Sequence, residues 1–345
     1  MESIPRQATS ARDLGACDVL VYGGGLSGWA AAVGLARAGH DVLLAAQRTS
    51  LGREVWAEMS IWSPPEASLP APALWAEAVG RLEAARAAGG PFVDPVATQV
   101  LLEEMARDAG VRILLQVTAH AGEGGLTLLT GKWGLMAARR RIVIDATAQA
   151  RLAVEMGASL RATGADEPVV RRALTVHTGV AEPRRVGVGG DLSLRDGTVM
   201  AWPTMWPGDV ILEAEFELPT DDMSALDVET RRAMAEIAAR LRASDPAFGQ
   251  GSLMHIAHDP ILPRERVLVA GEDASVATQV ECDESVFDVA RGALLPAGAD
   301  GVVAASPAVD LGPVSARAIS HAPNAVRLGE AAARVVQATL EGGAP

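Results

Sequence analysis

Cysteine is scarce in this chain, and so are long apolar runs. Cys17 and Cys282 are the only two cysteines, and they lie far apart without a CxxC motif, so we expect neither a disulfide framework nor a metal site. No apolar run approaches the length of about 18 residues that marks a membrane span. The first 17 residues lack the apolar core of a signal peptide. These absences favour a soluble, cytoplasmic protein in which residues 1–16 form a flexible leader.

Clusters of basic residues are also lacking. The chain has 30 Lys and Arg residues against 43 Asp and Glu residues, which gives a formal net charge of −13. Nucleic acids and anionic membranes bind clustered positive charge. We therefore expect no nucleic acid and no membrane as a partner, and favour a small-molecule substrate. Among 345 residues, a hydrophobic content of 49% is enough for one large core or two closely joined domains.

The most informative motif that is present is a glycine turn between residues 18 and 46. An apolar run enters Gly23, Gly25 and Gly28 at GxGxxG spacing, an Ala- and Leu-rich segment follows, and a second apolar run ends at Ala46. This order predicts a strand, a tight turn, a helix and a second strand. In such a unit the first glycine allows the turn, the second lets a pyrophosphate approach the backbone, and the third lets the helix pack on the strand. A dinucleotide ligand is predicted, and a glycine-rich surface turn is the alternative.

The chain after this unit first continues as α/β structure. A polar loop, RTSLGRE, is followed by prolines at positions 64, 65, 70 and 72, and then by predicted helices over 73–88 and over 95–108. Asp94 is the expected N-cap of the second helix and Gly110 its stop. Strands are predicted over 111–117 and 141–147, with a hairpin over 126–137 between them.

From about residue 172 the pattern changes. Short alternating runs over 172–218 predict an antiparallel sheet, and a helix over 223–243 has an apolar face that packs on it. Further strands are expected within 260–275 and at 301–305, and a final helix over 329–340. The predicted fold is α/β: a Rossmann-like FAD/NAD(P)-binding domain, residues 17–150 and 285–345, split by an antiparallel β-sheet plus helix substrate domain, residues 151–284.

This order of segments resembles the FAD-dependent oxidoreductases that have a glutathione-reductase-like nucleotide fold. The matching segments are DVLVYGGGLSG, RTSLGRE, RRRIVIDAT, LPRERVLVAGED and LGEAAARVV. The resemblance implies FAD as the cofactor and hydride transfer from a small organic metabolite to the flavin. In that family the last segment opens a helix whose N-terminus faces the flavin pyrimidine ring. The cofactor-binding residues that the resemblance implies are Gly23, Gly25, Leu26, Ser27, Gly28, Gln47, Arg48, Gly52, Arg53, Glu54, Thr147, Gly329 and Glu330.

The sequence departs from the family pattern in four places, and all of them would touch the cofactor. Ala46 stands where a carboxylate usually binds the adenosine ribose. Ala148 and Gln149 replace the usual Gly-Asp pair, Ala305 and Ser306 replace the usual Gly-Arg, and Ala333 replaces a glycine in the final helix. These departures motivate a second hypothesis. It describes the chain as a non-catalytic, flavoprotein-derived subunit or binding protein that has lost FAD binding.

Arg264 and His321 are the candidate catalytic residues. Arg264 matches an arginine of the family's insertion motif and is suited to bind a carboxylate, although a surface ion pair is an equal alternative. His321 precedes the final segment and has the side-chain chemistry of a base near neutrality, although a loop histidine without a catalytic role is the simpler interpretation. His255 and His258 have no third ligand at a familiar spacing, so no metal is assigned.

Tryptophan is the prominent aromatic residue, with seven copies beside one tyrosine and four phenylalanines. Trp56, Trp62 and Trp75 follow the glycine turn, and Trp202 and Trp206 lie in the predicted antiparallel sheet. Indole rings form flat walls for an aromatic substrate. Packing in a core, or in the interface of a homo- or hetero-oligomer, is the equal alternative.

Overall fold

The computed structural model describes residues 11–62 and 68–342 of the chain. The expected leader up to residue 10, as well as Pro64 and Pro65, lie outside the described residues. Arg12 already lies in the first strand, so the chain joins a sheet five residues before the expected leader ends.

Strands make up about half of the regular structure. They are Arg12–Tyr22 (β1), Val42–Ala46 (β2), Ala88–Gly89 (β3), Phe92–Val93 (β4), Arg112–Leu115 (β5), Val117–Ala121 (β6), Leu126–Gly131 (β7), Gly134–Asp145 (β8), Leu160–Ala162 (β9), Val169–Val176 (β10), Arg184–Gly187 (β11), Thr198–Pro203 (β12), Val210–Phe216 (β13), Ser252–Ile256 (β14), Arg266–Leu268 (β15), Val276–Cys282 (β16), Ser285–Ala290 (β17) and Val302–Ala304 (β18).

Helices connect and cover these strands. They are Leu26–Arg37 (α1), Arg53–Trp56 (α2), Ala73–Ala84 (α3), Pro95–Asp108 (α4), Arg151–Glu155 (α5), Met223–Ser244 (α6), Arg291–Leu294 (α7), Ala316–Ile319 (α8) and Ala322–Gly342 (α9), with a 3₁₀ turn at Pro246–Phe248. Within the described part of the chain, none of these helices combines the length and the apolarity needed to cross a bilayer.

A seven-stranded sheet forms the centre of the nucleotide-binding half. Its order is β5-β2-β1-β8-β7-β6, and β18 pairs with the carboxyl end of β8. The five strands β5, β2, β1, β8 and β18 run parallel, so their carboxyl ends meet at one edge of the sheet. That edge is where ligands bind in open parallel sheets. The α/β fold class and the return of residues 301–305 to this sheet are therefore confirmed.

The insertion is built on a five-stranded antiparallel sheet of order β11-β12-β13-β10-β14. Helix α6 packs on one face of this sheet through Met234, Ile237 and Leu241, which are fully buried and belong to the predicted apolar face. Side chains alternate along a strand, so Arg171 and Arg172 of β10 point to opposite faces. Arg171 binds Asp227 of α6, whereas Arg172 points to the loop that follows α2.

Two helix predictions have different outcomes. Helix α4 spans Pro95–Asp108 as predicted, because the Asp94 carboxylate accepts the N–H of Ala97 at 2.7 Å and Gly110 adopts a left-handed φ of 88°. The predicted start of the last helix at Gly329 is wrong. Helix α9 begins two turns earlier, at Ala322, and Gly329 lies in its interior.

Gly329 is where α9 contacts α1. A Cβ atom at this position would overlap the backbone oxygen of Ser27. By contrast, a Cβ at Gly34, on the facing helix α1, would lie 3.5 Å from the Ala333 Cβ, which is ordinary contact. The glycine at 329 therefore sets how closely the two helices approach.

We expect Gly329→Ala to destabilise the fold by roughly 1–3 kcal/mol, because the added methyl group pushes α9 away from α1. Gly34→Ala is the matched control and should be neutral or stabilising by about 0.5–1 kcal/mol, since alanine is the better helix former. Chemical denaturation of both variants measures the difference. Equal stability of the two variants would contradict this packing.

Candidate active site

The glycine turn folds as its spacing predicts at two of its three positions. Gly23 has a φ of 121°, and a Cβ there would lie 2.5 Å from the backbone of Ala146 at the end of β8. A Cβ at Gly28 would overlap the carbonyl oxygen of Gly23. Gly23 thus allows the turn and Gly28 allows α1 to pack on β1.

The third position, Gly25, faces a carboxylate of the same chain. Oε2 of Glu54 accepts the backbone N–H of Leu26 at 2.8 Å. This N–H belongs to the first turn of α1, where unpaired donors and the helix dipole attract anions. Oε1 of Glu54 occupies the space that a Cβ at Gly25 would need. The side chain of Glu54 therefore lies where the sequence predicts a pyrophosphate.

The RTSLGRE loop is held against the glycine turn. The N–H of Gly52 donates to the carbonyl of Gly24 at 2.7 Å. Arg48 binds Asp259 of the insertion at 2.6 Å, and Arg53 binds Glu58 at 2.8 Å. Gln47 is exposed at the end of β2. The two arginines that the resemblance assigns to the cofactor are thus paired with carboxylates of this chain.

The turn after β8 is organised by a residue that the sequence analysis did not single out. Asp145 is fully buried, and its carboxylate accepts the hydroxyl of Thr147 at 2.7 Å and the N–H of Ala153 at 2.8 Å. Burial raises the pKa of Asp145 above its ordinary value, although these hydrogen bonds oppose the shift. Thr147 therefore serves as a turn residue, and the next two residues, Ala148 and Gln149, line a cavity.

This cavity has a volume of about 490 Å³ and lies between the two halves of the protein. The nucleotide-binding half contributes Ser27, Glu54 and Ser306 to its walls, and the insertion contributes the segment 260–266. Its volume is within the range of small-molecule sites, about 300–1,000 Å³. The cavity joins the start of α1 to the insertion, so a ligand in it contacts both halves.

Arg264 lies in the wall of this cavity and is 5% exposed. Its Nη2 donates to the carbonyl of Gly312 at 3.1 Å, and its Nε lies 3.4 Å from a carboxylate oxygen of Glu167. Nε and Nη1 have no hydrogen-bond partner among residues 11–62 and 68–342. A buried guanidinium with free N–H groups is suited to an anionic ligand group.

Glu58 is a second cavity residue that the sequence analysis missed. It is 3% exposed, and its Oε2 has no hydrogen-bond partner within the described ranges. Burial raises the pKa of Glu58 to about 7, against the attraction of Arg53. A carboxyl group that titrates near neutrality can donate or accept a proton in a reaction. Only its spacing of four residues from Glu54 along one loop was visible in the sequence.

The start of α9 faces the cavity, but through other residues than predicted. Ser320, Ala325 and Leu328 line the cavity. Gly329 packs on Ser27, and the Glu330 carboxylate accepts the N–H of Leu74 at the start of α3 at 3.0 Å. The assignment of Glu330 and Gly329 to a helix start beside the flavin is therefore corrected.

His321 belongs to a cluster beside the cavity. Its ring lies 6.4 Å from that of Trp62, which stacks against Trp202 at 5.7 Å and lies under the Arg172 guanidinium at 4.6 Å. Burial, together with the charges of Arg172 and Arg317, lowers the pKa of His321 to about 3. The imidazole is therefore neutral at physiological pH and a weak base, since an efficient base titrates near the working pH.

A buried ion pair holds this cluster together. Arg172 binds Glu213 at 2.7 Å and the hydroxyl of Ser60 at 2.6 Å, and Arg317 binds Glu213 at 2.9 Å. Although burial opposes the shift, these arginines hold the pKa of Glu213 below its ordinary value. The Trp62 and Trp202 rings thus pack in the junction between the loop after α2 and the insertion sheet.

The remaining aromatic and histidine candidates are spread over the same junction. His255 and His258 have ring centroids 4.9 Å apart, and Trp56 packs on the edge of His258. Trp75 is buried on α3, and Trp206 is half-buried in the turn after β12. Within the described ranges, no group of three or more His, Cys, Asp or Glu residues is arranged to hold a metal ion.

Comparison with known proteins finds similarity to one family model. The model of the family described as FAD dependent oxidoreductase matches residues 18–187 of the chain. The match extends from the glycine turn through the first strands of the insertion sheet. No curated protein sequence matches the chain.

Solved structures with the same fold cover nearly the whole chain. A geranylgeranyl bacteriochlorophyll reductase-like protein from Thermoplasma acidophilum matches 96% of this chain and 80% of its own, with a TM-score of 0.58 and 15% identity. The p-nitrophenol 4-monooxygenase from Pseudomonas putida DLL-E4 matches 96% and 82%, with a TM-score of 0.57 and 15% identity. NikD, an unusual amino acid oxidase, matches 92% and 94%, with a TM-score of 0.56 and 16% identity. At these identities the likeness concerns the fold alone.

The raised pKa of Glu58 predicts that stability falls as the pH rises. Between the ordinary value of 4.5 and the folded value of about 7, the unfolded chain loses the Glu58 proton while the folded chain retains it. Ionisation therefore favours unfolding across this window, by on the order of 3 kcal/mol once the pH exceeds both values.

Denaturant unfolding of Glu58→Gln between pH 4.5 and 8 measures this contribution. The free energy of unfolding of Glu58→Gln should fall less with rising pH than that of the unchanged protein, because the contribution of Glu58 is absent. Glu103→Gln is the control, because the Glu103 carboxylate contacts the neighbouring RTSLGRE segment, through the Ser50 hydroxyl at 2.8 Å. The control should decline as the unchanged protein does. The same decline in Glu58→Gln would show that folding does not raise the pKa of Glu58.

Proposed function

We propose that this chain, whose residues 18–187 match the family model described as FAD dependent oxidoreductase, binds FAD and oxidises a small organic molecule in the 490 Å³ cavity. The observation that carries this proposal is the position of the cavity. It lies at the carboxyl edge of the parallel sheet and is closed from the other side by the insertion. A bound flavin and a substrate would therefore be enclosed between the two halves.

The residues around the cavity fit FAD with one exception. Gly23 and Gly28 give the tight turn, α1 offers its N-terminal N–H groups, and Ser306 and Ser320 line the cavity next to them. The exception is Glu54, whose carboxylate accepts a hydrogen bond from the N–H of Leu26. Its side chain has to move before a diphosphate reaches this N–H group.

FAD, when bound, supplies a hydride acceptor, so the protein needs only to bind and orient the substrate. In this proposal Arg264 binds an anionic group of the substrate through Nη1, because Nε already lies 3.4 Å from a carboxylate oxygen of Glu167. The hydrogen bond of Arg264 to Gly312 fixes the guanidinium in the wall. The ionised form of Glu58, which also lines the cavity, accepts the proton that the hydroxyl or amino group loses when the substrate is oxidised. The segment 260–263 and Met223 exclude water from the insertion side.

Anaerobic reduction of the FAD-loaded protein tests the proposal. A panel of small carboxylates that carry a hydroxyl or amino group is mixed with the protein in the absence of oxygen, and the visible absorbance of the flavin is followed. At least one compound should bleach it. FAD-loaded protein that no member of the panel bleaches would contradict the proposed reaction.

Arg264→Ala should lower kcat/KM for that compound about 10- to 100-fold, the loss expected for a charge-assisted hydrogen bond. The flavin spectrum should not change. Arg185→Ala is the control, since Arg185 lies on the exposed side of β11 and pairs with Asp196. Unchanged kinetics in Arg264→Ala would exclude Arg264 from substrate binding.

A second candidate function is a non-catalytic, flavoprotein-derived binding protein. The position of Glu54 favours it, because an internal carboxylate fills the place of the phosphate. In this case the cavity binds a small anionic molecule through Arg264 without redox chemistry. Such a protein would be stabilised thermally by a cavity ligand and would stay colourless after incubation with FAD.

A further inference from the structure

The first turn of α1 is the strongest anion site in the glycine turn. A helix of 12 residues has its free N–H groups and the positive end of its dipole at Leu26 and Ser27. An anion on these groups gains hydrogen bonds and a favourable field. In this structure the anion is the Glu54 carboxylate, which accepts the Leu26 N–H at 2.8 Å and is 6% exposed.

Glu54 also fills the space that the glycine motif leaves free. Gly25 has no side chain, and the atom that occupies the vacated volume is Oε1 of Glu54. A phosphate group that approached the backbone here would meet this oxygen first. Charge and volume therefore both oppose a diphosphate while Glu54 stays in place.

The surrounding backbone holds Glu54 in position. Its own carbonyl accepts the N–H of Ser60 at 2.8 Å, and the N–H of Gly52 donates to Gly24 at 2.7 Å. The preceding residue, Arg53, is held by its ion pair with Glu58. These contacts hold the backbone of α2 against the glycine turn. The Glu54 carboxylate can therefore move away from the Leu26 N–H by rotation about the side-chain torsions of Glu54.

We propose that Glu54 is an internal competitor of the cofactor diphosphate: its carboxylate occupies the phosphate site of α1, and FAD binds only by displacing it. This inference rests on the proposed function, because FAD is the ligand concerned. Its consequence is that the chain binds FAD more weakly than its glycine turn would allow. The FAD affinity is thus set by a side chain of α2.

Two variants separate the charge of Glu54 from its volume. Glu54→Gln removes the charge and keeps the shape, and Glu54→Ala removes both. The dissociation constants of FAD, ADP and riboflavin are measured for the apoprotein by calorimetry. ADP shares the diphosphate with FAD, whereas riboflavin has no phosphate. Glu103→Gln is the control, because it removes a carboxylate that contacts the same loop at Ser50 but not the glycine turn.

The expected result is that Glu54→Ala tightens the binding of FAD and of ADP at least tenfold, that Glu54→Gln has a smaller effect in the same direction, and that riboflavin binding is unchanged. Thermal melting of the apoproteins verifies that the variants fold, and Glu54→Ala should melt lower than the unchanged protein because α1 loses its anion. Glu103→Gln should bind all three ligands as the unchanged protein does.

Three results would overturn the proposal. Unchanged ADP and FAD affinities would mean that Glu54 does not compete. Weaker binding in the variants would mean that Glu54 helps to hold the cofactor. An equal gain for riboflavin would mean that the substitution widens the cavity and frees no phosphate site. The proposed function is judged separately, by whether the FAD-loaded protein is bleached by substrate, so the two can fail independently.

Discussion

The close contact of α1 with its neighbours is the constraint on which the rest of the structure depends. Gly28 lets α1 lie against the end of β1, and Gly329 lets α9 lie against the other side of α1. Because backbone meets backbone at both places, the first turn of α1 has almost no freedom to move. It is therefore fixed at the carboxyl edge of the parallel sheet, with its N–H groups directed toward the cavity.

A fixed anion site close to an acidic loop explains the charge arrangement around it. The Glu54 carboxylate accepts the N–H of Leu26, and Arg53 forms an ion pair with Glu58. Asp259 of the insertion binds Arg48 and lies 3.6 Å from Arg53. Each cation of the loop is thus paired within the protein. Arg264 lies in the cavity wall that the insertion contributes, and its Nη1 has no hydrogen-bond partner within the described residues. This position supports the proposal that an anionic substrate group binds on the insertion side.

Local signals were enough to predict most of the fold. The glycine turn, the Asp94 cap of α4 and the apolar face of α6 each depend on residues that are close in the sequence. The start of α9 was predicted incorrectly because the family motif places a helix start at Gly329. Pro323 is a local signal for the true first turn, since proline is common there. The positions of Glu54 and Glu58 depend on contacts between segments that are far apart in the chain, with Leu26 and with Arg172 respectively. The pairing of Arg48 with Asp259, across 211 residues, has no sequence signal.

The most direct test of the central claim is a titration of the purified apoprotein with FAD, followed by the visible spectrum of the flavin and by chromatography of the cofactor released with acid. Our account predicts saturable binding of one FAD for each chain, with a spectrum that differs from that of free FAD. A flavin spectrum that stays identical to free FAD at every concentration, in the unchanged protein and in Glu54→Ala, would contradict it.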